Sequence, residues 1–184
     1  MSNGKRTVRI GTRRSSLARA QTRLVAEALE RALPSWETSV VTFDTAGDRR
    51  AGPLATAGGK GLFTAELESA LRDGRVDIAV HSAKDMPAVM DDDLVIAAVP
   101  PRGDPADVIV SRYGSLEALP PGARIGTGSP RRAVQLRAIR KDLAIAGIRG
   151  NIETRIKKAL GPRPELDGVM LAAAGLRRAE MYET

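Results

Sequence analysis

Short apolar runs alternate with helix-patterned segments along the whole chain, and this alternation restricts the fold more than any other feature. Runs typical of buried strands lie at residues 8–10, 40–43, 77–80, 94–99, 108–110, 124–125, 143–148 and 169–172. Between them, apolar residues recur every three or four positions, as one helix face requires, at residues 15–33, 62–73, 130–139 and 151–160. Strands and helices in this order pack as sheets covered by helices, so the sequence predicts an α/β protein.

The charge balance predicts an anionic partner. There are 29 Lys and Arg residues against 22 Asp and Glu, for a net charge of +7. Aromatic residues make up only 3% of the chain, and no run holds five consecutive basic residues, so the usual features of a nucleic-acid surface are missing. The arginines occur singly or in pairs at predicted turns, which favours a discrete pocket for carboxylates or phosphates. A nucleic-acid-binding protein remains an alternative that rests on charge alone.

Three absences restrict the class of protein further. The sequence contains no cysteine, which excludes a disulfide framework and a thiolate metal site. The first seven residues are polar, and no apolar run approaches membrane-spanning length. We therefore expect a cytoplasmic protein with no membrane partner.

A proline-rich segment at residues 100–105 is the clearest break in the alternation. We interpret it as a crossing between two domains, residues 1–99 and 100–184. The tetrapeptide RIGT at residues 9–12 recurs at residues 124–127, and both copies end a predicted strand ahead of a predicted helix. Four residues do not prove a duplication, but they place the same device on each side of the crossing. Two α/β lobes facing each other across a cleft are the expected arrangement.

Three predicted strand-to-helix turns have the features of anion-binding sites. They lie at residues 11–16, 126–132 and 148–151. Each places an arginine beside the free backbone N–H groups of a helix N-terminus, an arrangement that suits carboxylate binding. The predicted helix caps are Ser15 or Ser16, Ser129 and Asn151. Any one of these turns is as readily an ordinary helix start, but three of them favour a binding role.

The segment HSAKDMP at residues 81–87 follows a predicted strand, at the end where open α/β sheets place their ligands. Asp85 beside Lys84 is either a surface ion pair of little energetic worth or a carboxylate set against a developing positive charge. His81 alone is more often a structural residue than a base. Without a second histidine or a serine-nucleophile signature, neither a metal site nor a hydrolase triad is supported.

Together these motifs resemble those of the hydroxymethylbilane synthase family, also called porphobilinogen deaminases. They occur in order as RIGTRRS at residues 9–15, GGKGLF at 58–63, DIAVHSAKDMP at 77–87, GTGSPRR at 126–132, RGN at 149–151 and AGLRR at 174–178. The HSxKD segment is highly specific, whereas one arginine turn alone is weak. The resemblance covers essentially the whole chain.

The resemblance implies an activity, a cofactor and a fold. Such enzymes join four porphobilinogen molecules head to tail, release ammonia and yield hydroxymethylbilane in tetrapyrrole biosynthesis. The product grows on a dipyrromethane cofactor held covalently by a cysteine. The implied fold has two lobes like those of periplasmic anion-binding proteins, with mixed sheets flanked by helices and a cleft between them. A third α+β domain carries the cysteine, and the expected state is a monomer.

The resemblance also assigns roles to residues. Asp85 matches the catalytic aspartate, which stabilises the azafulvene cation left by loss of ammonia. Cofactor contacts are implied for Lys84, Ser82, Ser129, Arg131, Arg132 and Asp48. Substrate contacts are implied for Arg13, Ser15, Arg149, Arg155, Arg178, Gln21 and Lys60. No metal is implied. The Gly/Ala-rich segment 44–61, predicted as a loop, matches the mobile flap of the family.

Two features depart from the family pattern. The chain lacks the cysteine that anchors the cofactor, and it ends at Thr184, before the stretch in which family members return to the first domain and build the third. By pattern, the second lobe is incomplete and the third domain is absent. An inactive fragment of the enzyme or a non-catalytic anion-binding module is the alternative. Asp85 discriminates against the pure anion binder, which gains nothing from a carboxylate among its arginines.

Overall fold

One β-sheet lies in each of two units of the chain, Met1–Pro101 and Arg102–Thr184. The computed structural model describes residues 5–49 and 61–181. Both sheets are flanked by helices, so the predicted α/β class is confirmed.

The described strands of the first sheet are all parallel and lie in the order β2-β1-β3. The central strand β1 (Arg6–Arg13) pairs with β2 (Trp36–Phe43) along its whole length and with β3 (Ile78–Ala79) near its end. Because the strands are parallel, all three end at the same edge of the sheet.

Among the described residues, three helices accompany this sheet, namely α1 (Ser16–Ala32), α2 (Ala46–Arg49) and α3 (Ala65–Arg72). Of the two predicted caps, Ser15 and Ser16, Ser15 caps α1 by accepting a hydrogen bond from the Ala18 backbone N–H at 3.3 Å. The helix ends just before Pro34, whose ring cannot continue it. The short helix α2 was not predicted, because the segment 44–61 was expected to be a loop. The rest of that predicted flap, residues 50–60, lies outside the described residues.

The second sheet is mixed and has the order β4-β7-β5-β6. Its strands are β4 (Asp107–Ser111), β5 (Arg124–Thr127), β6 (Ala144–Gly147) and β7 (Gly168–Ala172). Strand β5 is parallel to both β6 and β7, whereas β4 is antiparallel to β7. The helices of this unit are α4 (Pro130–Ile139), α5 (Ile152–Leu160) and α6 (Ala173–Arg178).

Two aliphatic clusters bury opposite faces of the second sheet. On β7, Val169 and Leu171 belong to one cluster, and Met170 between them packs against the other. Successive side chains of a strand point to opposite faces, so the two clusters lie on the two sides of the sheet. The first cluster includes Ala159 of α5, and the second includes Leu136 of α4. Each face is therefore covered by a different helix, and the core is aliphatic, as the scarcity of aromatic residues implied.

The repeated RIGT tetrapeptide lies at equivalent places in the two sheets. The Arg9 backbone N–H donates to the Asp77 carboxylate at 2.7 Å, and the Asp77 N–H donates back to the Arg9 carbonyl at 2.9 Å. In the second unit the Arg124 N–H donates to Asp167 at 2.8 Å, and the Asp167 N–H donates to the Arg124 carbonyl at 2.9 Å. Each copy of the tetrapeptide is thus tied to an aspartate that begins the next parallel strand in space.

The strand predicted at residues 94–99 is wrong. These residues form no helix or strand, and Val95 and Val99 are 82% and 79% exposed. Apolar, β-branched residues favour a strand, but a strand also needs a neighbour whose backbone completes its hydrogen bonds. No described strand of the first unit takes that position. The helix α6 and the 3-10 turn Ala83–Asp85 were not predicted.

Candidate functional site

Three charged side chains meet at the edge where the strands of the first sheet end. Strand β1 ends at Arg13, β2 leads to Asp48 in α2, and β3 leads to Asp85 in the 3-10 turn. The Arg13 Nη1 donates to Asp85 Oδ2 at 3.2 Å, and Nε donates to Asp48 Oδ2 at 3.1 Å. The Nη2 of Arg13 donates to the second oxygen of Asp48. The parallel topology therefore converts three distant stretches of sequence into one cluster.

The Arg13 guanidinium also stacks on an aromatic ring. Its Cζ lies 4.3 Å from the centre of the Phe63 ring, within the range of a cation–π contact. Gly47 makes room for this ring, since a Cβ on Gly47 would lie 2.1 Å from Phe63 Cε1. The Arg13 side chain is only 17% exposed. Arg13 is consequently fixed by two carboxylates at its edges and by a ring on its face.

Asp48 is held as a carboxylate by its surroundings. Burial raises the pKa of Asp48, but hydrogen bonds from Arg13 and Thr45 lower it by more, and the net shift is downward. The Thr45 hydroxyl donates to Asp48 Oδ2 at 2.7 Å, and Thr45 itself is fully buried. Asp48 was predicted as a cofactor contact, whereas the structure places it against Arg13.

The HSAKD segment places its residues in different environments. The Asp85 backbone N–H donates to the Ser82 carbonyl at 2.9 Å, which closes the turn, and the Asp85 side chain is 20% exposed. The Ser82 hydroxyl donates to Gln21 Oε1 at 2.7 Å. Lys84 is exposed. The predicted cofactor residue Ser82 and the predicted substrate residue Gln21 are thus partners of each other, one turn from Asp85.

His81 is largely buried beside this cluster. Burial lowers its pKa from the usual 6.5, and the neighbouring charges of Asp85 and Glu68 oppose that shift only in part. Its Nδ1 is buried and has no hydrogen-bond partner among the described residues. The imidazole is therefore held neutral near neutral pH.

A second set of predicted residues meets at the matching edge of the second sheet. Ser129 caps α4 by accepting from the Arg132 N–H at 3.4 Å, and Pro130 is the first helical residue, both as predicted. The Arg132 guanidinium binds Asp107 through two hydrogen bonds of 2.8 and 2.6 Å. Asp107 reaches this edge because β4 runs antiparallel to its neighbours. Arg132 is therefore already paired with a carboxylate of its own unit.

Arg155 differs from Arg132 in having no acidic partner among the residues that the structure describes. It is half-buried in α5, its Nε donates to the Gly150 carbonyl at 2.8 Å, and it makes no ion pair with any carboxylate of the described residues. Burial lowers the pKa of Arg155, and the nearby positive charges of Arg132 and Arg149 lower it further. The helix it belongs to is capped by Asn151, whose Oδ1 accepts from the Thr154 N–H at 2.9 Å, as predicted.

The remaining predicted residues are placed as follows. Arg131 is exposed at the first turn of α4. Arg178 ends α6, and its guanidinium lies against Gly103, where a Cβ would approach Nη2 to 3.2 Å. Ser15 serves as the cap of α1. Lys60 lies outside the described residues.

Sequence reasoning missed several residues that hold the predicted site residues in place. Asp107, Thr45 and Phe63 all contact a predicted arginine or its carboxylate partner. Asp107 stands between a proline-rich segment and a predicted strand, and nothing in its local pattern signals a partner 25 residues away. Phe63 is part of the GGKGLF motif, which was the one available signal.

Two further observations concern metal ions and membranes. Within residues 5–49 and 61–181, no three His, Asp or Glu side chains are grouped so that they could hold a metal ion. None of the helices in the described part of the chain is long and apolar enough to cross a membrane.

The family model and the curated relatives agree on one family. The family model for "Porphobilinogen deaminase, dipyromethane cofactor binding domain" matches residues 8–184. The porphobilinogen deaminase of Roseiflexus sp. (strain RS-1) is 49% identical over 176 residues, which cover 95% of this chain and 57% of that protein. The porphobilinogen deaminase of Syntrophus aciditrophicus (strain SB) is 52% identical over 173 residues, 93% of this chain and 56% of that protein.

Among solved structures, the periplasmic aliphatic sulphonate binding protein SsuA from Escherichia coli matches 95% of this chain and 54% of its own, with 19% identity and a TM-score of 0.45. The chain spans somewhat more than half the length of the two deaminases compared above. The match of the family model over nearly the whole sequence shows that this chain belongs to the porphobilinogen deaminase family.

Proposed function

We propose that this chain supplies the catalytic and carboxylate-binding part of a hydroxymethylbilane synthase. The overall reaction joins four porphobilinogen molecules, releases four molecules of ammonia and adds one water to give hydroxymethylbilane. In each step the aminomethyl C–N bond breaks, ammonia departs and an azafulvene cation remains. The free pyrrole carbon of a second unit then forms a C–C bond to the exocyclic methylene carbon and loses its proton.

The observation that carries this proposal is the environment of Arg155. A half-buried guanidinium with two like-charged neighbours and no described carboxylate partner has an unfavourable electrostatic energy unless an anion binds there. Each pyrrole unit carries an acetate and a propionate, so it offers two carboxylates. A guanidinium can bind each of these carboxylates through paired N–H donors.

Asp85 supplies the second requirement of the reaction, a fixed negative charge. The carboxylate of Asp85 is oriented by one hydrogen bond from Arg13 and is held in a closed turn. An ionised carboxylate in this setting stabilises the positive charge that develops when ammonia leaves. It also accepts the pyrrole proton at the carbon that forms the new bond.

The residues present fit the carboxylates of a dipyrromethane cofactor, but they do not fit its covalent attachment. Arg149 and Arg155 at the edge of the second sheet have no described acidic partner and suit its acetate and propionate groups. The chain contains no cysteine, so no thiol of this sequence forms the covalent bond. When bound, the cofactor supplies the pyrrole carbon to which the first substrate unit is joined.

Calorimetric titration of the chain with porphobilinogen tests the binding proposal. We expect Arg155→Leu to weaken binding roughly tenfold or more, since a charge-assisted hydrogen bond pair is lost. Arg137→Leu is the matched control, because Arg137 is exposed on α4 and its loss removes the same charge. Equal affinities of Arg155→Leu and Arg137→Leu would contradict the assignment.

Ammonia release from porphobilinogen tests the role of Asp85. We expect Asp85→Asn to bind porphobilinogen with an affinity close to that of the unmodified chain but to release ammonia at least about a hundredfold more slowly. Near-normal release by this variant would rule out Asp85 as the catalytic residue. If the unmodified chain binds porphobilinogen but releases no ammonia, the proposal is restricted to binding.

A further inference from the structure

Arg13 already holds a carboxylate in the geometry of a bound ligand. Its Nε donates to Asp48 Oδ2 at 3.1 Å, and its Nη2 donates to the other oxygen of Asp48. These two parallel donors bind a carboxylate through a bidentate pair of hydrogen bonds. Asp85 takes a different donor, Nη1, through a single hydrogen bond. The two-pronged face of Arg13 is thus occupied by a residue of the chain itself.

The charges of this cluster oppose the binding of a further anion. One guanidinium between two carboxylates has a net charge of −1. Exposed fractions of 17% for Arg13, 29% for Asp48 and 20% for Asp85 allow only partial screening by water. A third carboxylate that approached this arrangement would be repelled. Arg13 can bind a ligand carboxylate only if one of its two present partners withdraws.

Of the two partners, Asp48 is the one whose withdrawal frees a pair of engaged donors. Asp85 accepts from Nη1 alone, so its departure would free a single engaged donor. Rotation of the Asp48 side chain, by contrast, would expose both donors at once. The Thr45 hydroxyl bonds to Asp48 at 2.7 Å and opposes this rotation.

Arg13 would keep its orientation after Asp48 withdrew. The Phe63 ring lies 4.3 Å below the guanidinium, and the hydrogen bond to Asp85 restrains its opposite side. The backbone that carries Asp48 is anchored separately, because the Gly47 N–H donates to the Leu62 carbonyl at 2.7 Å. Only a side-chain movement is therefore required to exchange one carboxylate for another.

We infer that Asp48 is an internal competitor for Arg13 that sets the affinity of the site for substrate carboxylates. A pyrrole acetate or propionate binds Arg13 by displacing Asp48, and ligands without a suitably placed carboxylate do not. This inference rests on the proposed binding role of Arg13. It makes Asp48 a specificity-determining residue rather than a cofactor contact.

The test measures the affinity of the chain for two probes, porphobilinogen and succinate, by calorimetry. We expect Asp48→Asn to bind both probes roughly tenfold more tightly, because the competing charge is removed while the side-chain shape is kept. Asp44→Asn is the matched control, since it removes one charge from the same segment, where Asp44 pairs with Arg14 rather than Arg13. Its affinities should stay within about a factor of two of the unmodified chain.

Two additional variants locate the effect. Thr45→Val removes the hydroxyl that donates to Asp48 but leaves the Asp48 carboxylate in place. It should therefore raise the affinity for both probes by a smaller factor than Asp48→Asn does. Arg13→Leu combined with Asp48→Asn should abolish the gain. If Asp48→Asn binds neither probe more tightly than Asp44→Asn does, Asp48 positions Arg13 and does not compete for it, and the inference is overturned. Tighter succinate binding without any porphobilinogen binding would support the inference and contradict the proposed substrate.

Discussion

The protonation state of His81 depends on its burial and on the charges around the site. It is the single histidine of the chain, and burial keeps it neutral despite the nearby carboxylates of Asp85 and Glu68. A protonated imidazole here would weaken the charge that Asp85 offers to a developing cation. The neutral state of His81 is therefore consistent with the proposed role of Asp85.

The lowered pKa of His81 makes stability depend on pH. The unfolded chain binds a proton near pH 6.5, whereas the folded chain binds it only at lower pH. The free energy of unfolding should therefore decrease as the pH falls from about 7 towards 5.5, and this contribution should be complete above 6.5. Urea denaturation at a series of pH values measures it.

His81→Gln provides the control for this pH dependence. Since Gln does not titrate, the free energy of unfolding should vary less between pH 7 and 5.5 in this variant. The carboxylates with lowered pKa values, such as Asp48 and Asp77, lose their contribution at more acidic pH and do not interfere in this range. An identical slope in both proteins would show that His81 is not the titrating group.

At the scale of elements, strand direction decides which residues meet. Parallel strands β1, β2 and β3 bring Arg13, Asp48 and Asp85 to one edge. Parallel strands β5, β6 and β7 do the same for the arginines of the second unit. The antiparallel strand β4 starts where its neighbours end, and so it delivers Asp107 to Arg132. Each cluster is a consequence of the sheet order.

Close packing of β5 against its neighbours requires Gly126. A Cβ at Gly126 would lie 2.6 Å from Leu166 Cδ1 and 2.9 Å from Ile148 Cγ2, both in the aliphatic core. We expect Gly126→Ala to destabilise the second unit by about 1–3 kcal/mol, because the core has to shift to accept a methyl group. Native-state hydrogen exchange of the β5 and β7 amides measures this loss.

Gly147→Ala is the matched control for that substitution. Gly147 lies on the adjacent edge strand β6, opposite Thr127, and a Cβ there would meet nothing within 4 Å. Its effect should stay within about 0.5 kcal/mol. Equal protection of the β5 amides in the two variants would show that the contacts around Gly126 relax at no cost.

At the scale of the whole chain, both units use the same connection between neighbouring parallel strands. Asp77 in the first unit and Asp167 in the second accept a backbone N–H from the arginine of the RIGT tetrapeptide and donate their own N–H to its carbonyl. The two units therefore share this long-range contact as well as the four residues of the tetrapeptide. This contact ties each central strand to the strand that follows it in space.

Removal of this aspartate should weaken the unit that contains it. Asp167→Ala leaves the Arg124 N–H without its acceptor, and we expect a loss of roughly 1–2 kcal/mol in the second unit. Asp77→Ala should act in the same direction in the first unit. Hydrogen exchange of the Arg124 and Arg9 amides, respectively, reports each effect.

Asp92→Ala is the control for these two changes, because Asp92 is exposed in a segment without regular structure. It should leave both amides protected as in the unmodified chain. Unchanged protection of Arg9 and Arg124 in the Asp77→Ala and Asp167→Ala variants would show that these carboxylates contribute nothing to the strands.

The local pattern of residues was sufficient for the α/β class, for the caps Ser129 and Asn151, and for the family, and it limited the cap of α1 to Ser15 or Ser16. Helix periodicity and capping depend on residues three or four positions apart, and these are contiguous in the sequence. The predicted boundaries of the elements were less accurate, since α3 begins at Ala65 rather than near residue 62.

Only the tertiary structure decided which predicted arginines are paired. Arg13 meets Asp48 and Asp85 across 35 and 72 residues, and Arg132 meets Asp107 across 25, whereas Arg155 meets no described carboxylate. Such contacts depend on the order and direction of strands, which local periodicity does not specify. The same reason explains residues 94–99, whose composition favours a strand but whose pairing depends on a neighbour in space. The sequence by itself determined most of the elements and the chemical groups, and the sheet order determined which of those groups face one another.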